Sequence, residues 1–214
     1  MLFRDKPNII REMKAILLSI GDELILGQTV DTNAAWLSRR CGALGVEVVE
    51  HVTVGDDVTR IAAALIRAAE NNDIIIATGG LGPTDDDLTR HALAQVLGVE
   101  LEFNQLAMSQ IQAFYDQLGR PMPQANRVQA MIPRGCEVLE NTCGTAPGMA
   151  VRIGRAQAFF MPGVPREMSA MFASGIEKHL RQGGGGVIIT RILHTCGVGE
   201  SNIAEMLGDM MTRG

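Results

Sequence analysis

The chain has 214 residues, 46% of them hydrophobic but only 4% aromatic, and a formal net charge of −5. That length supports one good-sized core with a small appendage. An acidic balance without a basic stripe, and few aromatic platforms, exclude nucleic acid as the main ligand, while no apolar run approaches the ~20 residues that span a bilayer.

The start, Met1 to Glu12, carries Arg4, Asp5 and Lys6 and lacks the apolar core of a signal peptide, so residues 1–12 are expected to be a flexible tail. Ala15 to Ile20 reads as a buried strand running into Gly21-Asp22-Glu23. Two carboxylates at a strand's carboxyl end sit where open α/β sheets bind ligands. Asp31-Thr32-Asn33 offers an N-cap, and Ala34, Leu37, Cys41 and Leu44 form the stripe of the helix that follows. Val46 to Val54 is the second strand, and Gly55-Asp56-Asp57 turns into a helix with Val58, Ile61 and Leu65 inward. On its own residues Asp56 reads as an N-cap.

Asp73 to Thr89 is the most informative stretch: a β-branched run Ile74 to Ile76, then Gly79-Gly80-Leu81-Gly82-Pro83-Thr84, then Asp85, Asp86 and Asp87. The expectation is a buried parallel strand, a glycine turn and three acids opening a helix, with Asp85 as its cap. Strand, glycines and helix N-terminus form a common anion seat. Three acids would repel a bare phosphate, whereas a divalent cation bridges carboxylate and phosphate oxygens. The stretch therefore points to a metal–phosphate site, with capping as the plainer alternative.

Three strand–helix units in succession imply a parallel, doubly wound sheet. Asn104 to Leu118 is then a helix, and Gln124 to Ile132 is polar and irregular, with Asn126, Arg127 and Gln129 as candidate ligand contacts. This insertion resembles a lid or subdomain. Cys136 to Leu139 is a short strand, Met149 to Ile153 and Ala156 to Met161 form a hairpin about Gly154-Arg155, and Pro165 opens a helix. Gly183 to Gly186 reads as a linker to a strand Val187 to Thr195 and a helix Asn202 to Met211. Cys41, Cys136, Cys143 and Cys196 form no C-x-x-C pair, which speaks against structural zinc and for reduced thiols in a cytoplasmic protein.

Taken together, Gly21-Asp22-Glu23-Leu24 with Asp31-Thr32-Asn33, Gly79-Gly80-Leu81-Gly82-Pro83-Thr84 with Asp87-Leu88-Thr89, Gly144-Thr145-Ala146-Pro147-Gly148, Pro162-Gly163-Val164-Pro165 with Glu167-Met168, and Gly199-Glu200-Ser201 resemble the N-terminal region of CinA, the competence/damage-inducible protein family. The resemblance runs from about Met13 to the end. It implies a three-layer α/β/α sandwich with a mostly parallel sheet, of the molybdopterin-binding type shared with MogA, MoaB and gephyrin, over residues 13–182. Residues 187–214 match the start of the family's small KH-like domain. The resemblance also implies ADP-ribose pyrophosphatase activity with a divalent metal. By position, Asp87 matches the acid that follows the relatives' glycine loop and Asp56 their second site acid. Relatives that adenylylate molybdopterin usually carry Gly-Gly-Thr-Gly and an Arg before that acid, where this chain has Gly79-Gly80-Leu81-Gly82 and Asp86.

The expected chemistry is hydrolysis of a nucleotide-sugar diphosphate. Mg²⁺, Mn²⁺ or Co²⁺ would be held by some of Asp22, Glu23, Asp56 and Asp87, with Asp87 and Asp56 as the catalytic residues and one carboxylate not on the metal as general base. Amides of Gly80 and Gly82 would hold phosphate oxygens, with Gly79, Thr84, Asn33, Thr145 and Gly148 as further lining. A molybdopterin-processing enzyme and a non-catalytic nucleotide or pterin binder are the alternatives. The expected partners are a small nucleotide or pterin and a second or third copy of the chain.

Overall fold

The computed structural model describes residues 13–181 and 196–208. The expected tail, the glycine linker and the strand at Val187–Thr195 lie outside the described residues.

A six-stranded sheet runs in the order β2 (Val46–Val54), β1 (Met13–Ile20), β3 (Ile74–Thr78), β8 (Ala156–Met161), β7 (Gly148–Ile153), β6 (Glu137–Leu139). The first four strands are parallel. The β7–β8 hairpin and the β6–β7 pair are antiparallel. Strand periodicity sends alternate residues to opposite faces. Ile16, Leu18, Ile75, Ala77 and Phe160 join one core, whereas Ala15, Leu17, Ile74, Ile76 and Phe159 join the other. Helices α3 (Val58–Asn71) and α4 (Thr89–Leu97) cover the first face. Helices α2 (Thr32–Ala43) and α6 (Pro165–Met171) cover the second. The result is the expected three-layer α/β/α sandwich. A four-residue helix α1 (Asp22–Ile25) follows β1 directly. Beyond α6 the chain runs through one π turn into α7 (Glu177–Arg181).

The insertion differs from a lid. Strands β4 (Leu101–Phe103) and β5 (Met131–Pro133) pair antiparallel in a small sheet of their own. Helix α5 (Gln105–Gln117) and a 3₁₀ turn (Gln124–Ala130) connect them. Ala107, Ile111, Ala130 and Ile132 are buried in the same core as α3 and α4, so the insertion is packed onto the domain. Helix α8 (Glu200–Leu207) has no buried residue.

Two caps fall differently from expectation. Asp57 caps α3, its Oδ1 accepting the Arg60 amide at 2.8 Å, which leaves Asp56 outside the helix. Helix α4 begins at Thr89 after Leu88, with no side-chain cap, so Asp85, Asp86 and Asp87 lie in the preceding turn. The Asp87 amide donates to the Thr84 carbonyl at 3.1 Å, and this closes a turn where a helical start was expected.

Cys41 is fully buried on α2, and burial pushes its thiol from 9.0 up to about 12. Its folded value lies above its unfolded value, so the folded chain holds the proton longer. The associated stability is fully present below pH 9.0 and is lost as pH rises toward about 12. Denaturant unfolding at stepped pH should show stability falling across that window, and Cys41→Ala should flatten the slope. A disulfide-exchange reagent at pH 8 should label exposed Cys196 in the native protein and Cys41 only after unfolding.

Candidate functional site: an acid-flanked glycine loop

The carboxyl ends of β2, β1, β3 and β8 share one edge of the sheet, so four loops meet there in that order. They enclose a cleft of about 460 Å³, within the ~300–1,000 Å³ range of small-molecule sites.

The β3 loop forms its floor. Gly79 has φ 102°, and a Cβ there would overlap the Ile20 carbonyl oxygen of β1, so only glycine lets the two strand ends approach. Past Gly79, successive carbonyls are drawn toward α4. The Thr89 hydroxyl donates to the Gly79 carbonyl at 2.8 Å and the Thr89 amide to the Gly80 carbonyl at 3.2 Å. Arg90, 2% exposed, donates Nη1 to the Leu81 carbonyl at 2.7 Å and Nη2 to the Gly82 carbonyl at 2.9 Å. Burial lowers the Arg90 pKa and the nearby Asp87 charge raises it.

Asp87 ties the other side of the loop. Its Oδ1 accepts the Gly82 amide at 2.6 Å, and its Oδ2 accepts the Thr84 amide at 2.8 Å and the Thr84 hydroxyl. Gln129, from the insertion, donates Nε2 to the Leu81 carbonyl at 3.3 Å and accepts from Asn126 Nδ2 at 2.8 Å. Tyr115 and Thr145 also bond Asn126, so the insertion braces the loop through buried polar side chains.

Acids gather on the β2–β1 flank. Asp22 and Asp56 exchange bonds: the Asp22 amide donates to Asp56 Oδ2 at 2.9 Å, and the Asp56 amide to Asp22 Oδ1 at 3.1 Å. Burial raises the Asp56 carboxyl above its ordinary value. The Asp22 amide opposes this, and the negative charges of Asp22, Glu23 and Asp86 add to the rise. On the β8 flank, Glu167 Oε2 accepts from Asn141 Nδ2 at 2.7 Å and reaches the cleft beside Thr145.

Of the residues expected from the sequence, Glu23, Asp56, Gly79, Gly80, Gly82, Thr84, Asp87 and Thr145 line the cleft. Three others have different places. Asp22 is bound to the Asp56 turn. Asn33 donates Nδ2 to the Gly163 carbonyl at 2.7 Å and pins the β8 loop. Gly148 is buried in β7, where Met171 fills the space a side chain would need. The Gly82 amide, expected to hold phosphate, is taken by Asp87. The Gly80 and Leu81 amides have no acceptor among the described residues. Of the insertion's candidates, Gln129 lines the cleft, while Arg127 lies 5.7 Å over the Phe103 ring.

Sequence reasoning passed over Arg90, Glu167 and Asp86 as individual site residues. The available signals were a charge three residues after Asp87 on the inward side of a helix, and a Glu in the first turn after Pro165.

Among the described residues, no three His, Cys, Asp or Glu side chains converge to cage a metal ion. The donor set is nonetheless suited to a hard divalent cation. Mg²⁺ in particular takes one or two carboxylates and fills its remaining positions with substrate phosphate and water. The repulsion at Asp56 is what such an ion would relieve.

Fold and cleft define a molybdopterin-binding type of α/β domain. Residues 16–182 match the family described as "Probable molybdopterin binding domain". A molybdopterin biosynthesis protein from Mycobacterium abscessus shares the fold, with TM-score 0.54 at 19% identity over 79% of this chain and 92% of that one. The protein CinA from Thermoplasma acidophilum is more similar, with TM-score 0.72 and 33% identity over 79% of this chain and 98% of that one. CinA-like proteins of Frankia casuarinae and Citrifermentans bemidjiense are 42% and 43% identical over 94% of the chain. The chain belongs to the CinA family. It spans about half the length of these curated relatives, 48% and 49%. No described helix is long and apolar enough to cross a membrane.

Proposed function

We propose that the cleft hydrolyses the diphosphate bond of a nucleotide sugar, with ADP-ribose as substrate and a divalent cation as cofactor. The observation that carries this reading is the pairing of opposite demands in one 460 Å³ cavity. Glu23, Asp56 and Asp86 crowd negative charge on one flank, while the Gly80 and Leu81 amides offer donors on the floor. A diphosphate bridged to a cation satisfies both.

Glu23 and Asp86 would hold the cation, with Mg²⁺, Mn²⁺ or Co²⁺ suited to their oxygens. Bound there, it supplies charge neutralisation of the diphosphate and a lowered pKa for a coordinated water. The Gly80 and Leu81 amides hold phosphate oxygens. Asp56, with Oδ2 committed to the Asp22 amide, accepts the proton of the attacking water at Oδ1. A carboxyl raised above its ordinary range is the better base near neutral pH. Asp87 and Asp22, expected as metal ligands, instead hold the two loops in place.

The test is incubation of the purified chain with ADP-ribose and each cation in turn. AMP and ribose 5-phosphate should appear with metal and disappear with chelator. Tight molybdopterin binding without turnover would replace this reading with the pterin one, to which the family match lends support. Binding of either ligand without turnover under every metal would leave a non-catalytic module.

A further inference from the structure

We infer that Arg90 is a positioning residue for a phosphate seat: Thr89 turns the Gly80 and Leu81 amides toward an anion, Arg90 fixes the next two peptides of the loop through the Leu81 and Gly82 carbonyls, and it places a buried positive charge behind the seat. The inference rests on the proposed function for the substrate's identity, but not for the anion's chemical class.

In a trans peptide the carbonyl of one residue and the amide of the next point in opposite directions. The Gly79 and Gly80 carbonyls are both held toward α4 by Thr89. The Gly80 and Leu81 amides, which share those peptide planes, are therefore turned the other way. Arg90 holds the next two carbonyls with both terminal nitrogens, which fixes the peptide whose Gly82 amide goes to Asp87 and the one that enters Pro83, and so braces the loop just past the Gly80 and Leu81 amides. Four consecutive carbonyls face the helix side, and two adjacent amides remain without acceptors among the described residues. Adjacent backbone amides turned to one side make an anion-binding nest.

The charge adds a second observation. Arg90 is 2% exposed, both of its bonded acceptors are neutral carbonyls, and its Nε has no partner. No carboxylate lies within ion-pair distance of it among the described residues. An unpaired buried guanidinium is costly. Asp87 offsets it only in part, because both Asp87 oxygens are spent on the loop. A bound phosphate above the same loop would supply the missing negative charge. Asp87 and Arg90 thus act as one clamp, the acid on the amides of Gly82 and Thr84 and the base on the carbonyls of Leu81 and Gly82.

The experiment compares wild type, Arg90→Lys and Arg90→Met in the full chain. Inorganic pyrophosphate is titrated by calorimetry with Mg²⁺ present, and KM and kcat for ADP-ribose are measured under the same conditions. Arg90→Met should weaken pyrophosphate binding at least tenfold and raise KM by a similar factor, with kcat changed less than threefold. Arg90→Lys, which keeps the charge without the fork, should recover part of the lost affinity. If Arg90→Met fails to fold, Arg90→Lys alone should still show a threefold or greater loss. Pyrophosphate binding equal to wild type in either folded variant overturns the inference, as does a wild type that binds no pyrophosphate. Wild type that binds pyrophosphate but leaves ADP-ribose intact removes the substrate reading while the seat stands on the calorimetry.

Discussion

Gly79→Ala is expected to destabilise the domain by more than ~3 kcal/mol, well above the cost of an ordinary surface change. Two effects add. The backbone at Gly79 has φ 102°, a region that side chains with a Cβ rarely adopt. The new methyl would also overlap the Ile20 carbonyl oxygen, a main-chain atom at the end of the central strand β1. A flexible side chain could swing aside, but β1 cannot, because β2 and β3 hold it from both edges. Relief would require separating the ends of β1 and β3, the two strands whose loops carry Glu23 and the glycine floor. Denaturant unfolding should show the loss directly. Gly80→Ala is the useful comparison: its methyl would overlap the Thr89 hydroxyl, a side-chain atom, so its cost should be smaller. A Gly79→Ala protein as stable as wild type would mean that the strand ends are not locked as described.

That lock could not be read from the sequence, and the reason is general to this chain. Features set by local periodicity were legible. The run Ile74–Ile76 is buried as expected, and the hairpin turns at Gly154-Arg155. Asp31 caps its helix through the amide of Ala34. Features set by which loops become neighbours were not. Asn33 reaches a carbonyl 130 residues away because β8 lies beside β3 in the sheet, an order that no local pattern encodes. The three-residue strands β4 and β5 are too short to show a period, and they pair across the whole insertion. Between adjacent acids the choice was finer still. Asp56 and Asp57 both stand where a cap could form, and one step in chain position sends one to the helix and the other to the cleft. For Asp87, residue type and spacing suggested a ligand, but the folded loop directs its oxygens to Gly82 and Thr84.

Asp56→Asn should remove most of the proposed turnover while leaving the fold intact. General base catalysis contributes ~10²–10⁴-fold, so kcat for ADP-ribose with Mg²⁺ should fall by at least ~100-fold with KM little changed. The substitution preserves shape, and the Asn amide oxygen can still accept from the Asp22 amide as Asp56 Oδ2 does. It also removes one negative charge from a group in which Asp22, Glu23 and Asp86 all raise the Asp56 pKa. Stability without metal should therefore hold or rise slightly, a direction opposite to most site mutations in a core. The two readouts separate the roles. A catalytic base predicts lost kcat with retained or increased stability. A loop organiser such as Asp87 predicts the reverse emphasis, because Asp87→Ala would leave the Gly82 and Thr84 amides without their acceptor and loosen the floor. A kcat within threefold of wild type in Asp56→Asn would move the base to another acid of the cleft. Glu167, already held by Asn141 on the β8 flank, would be the next to test.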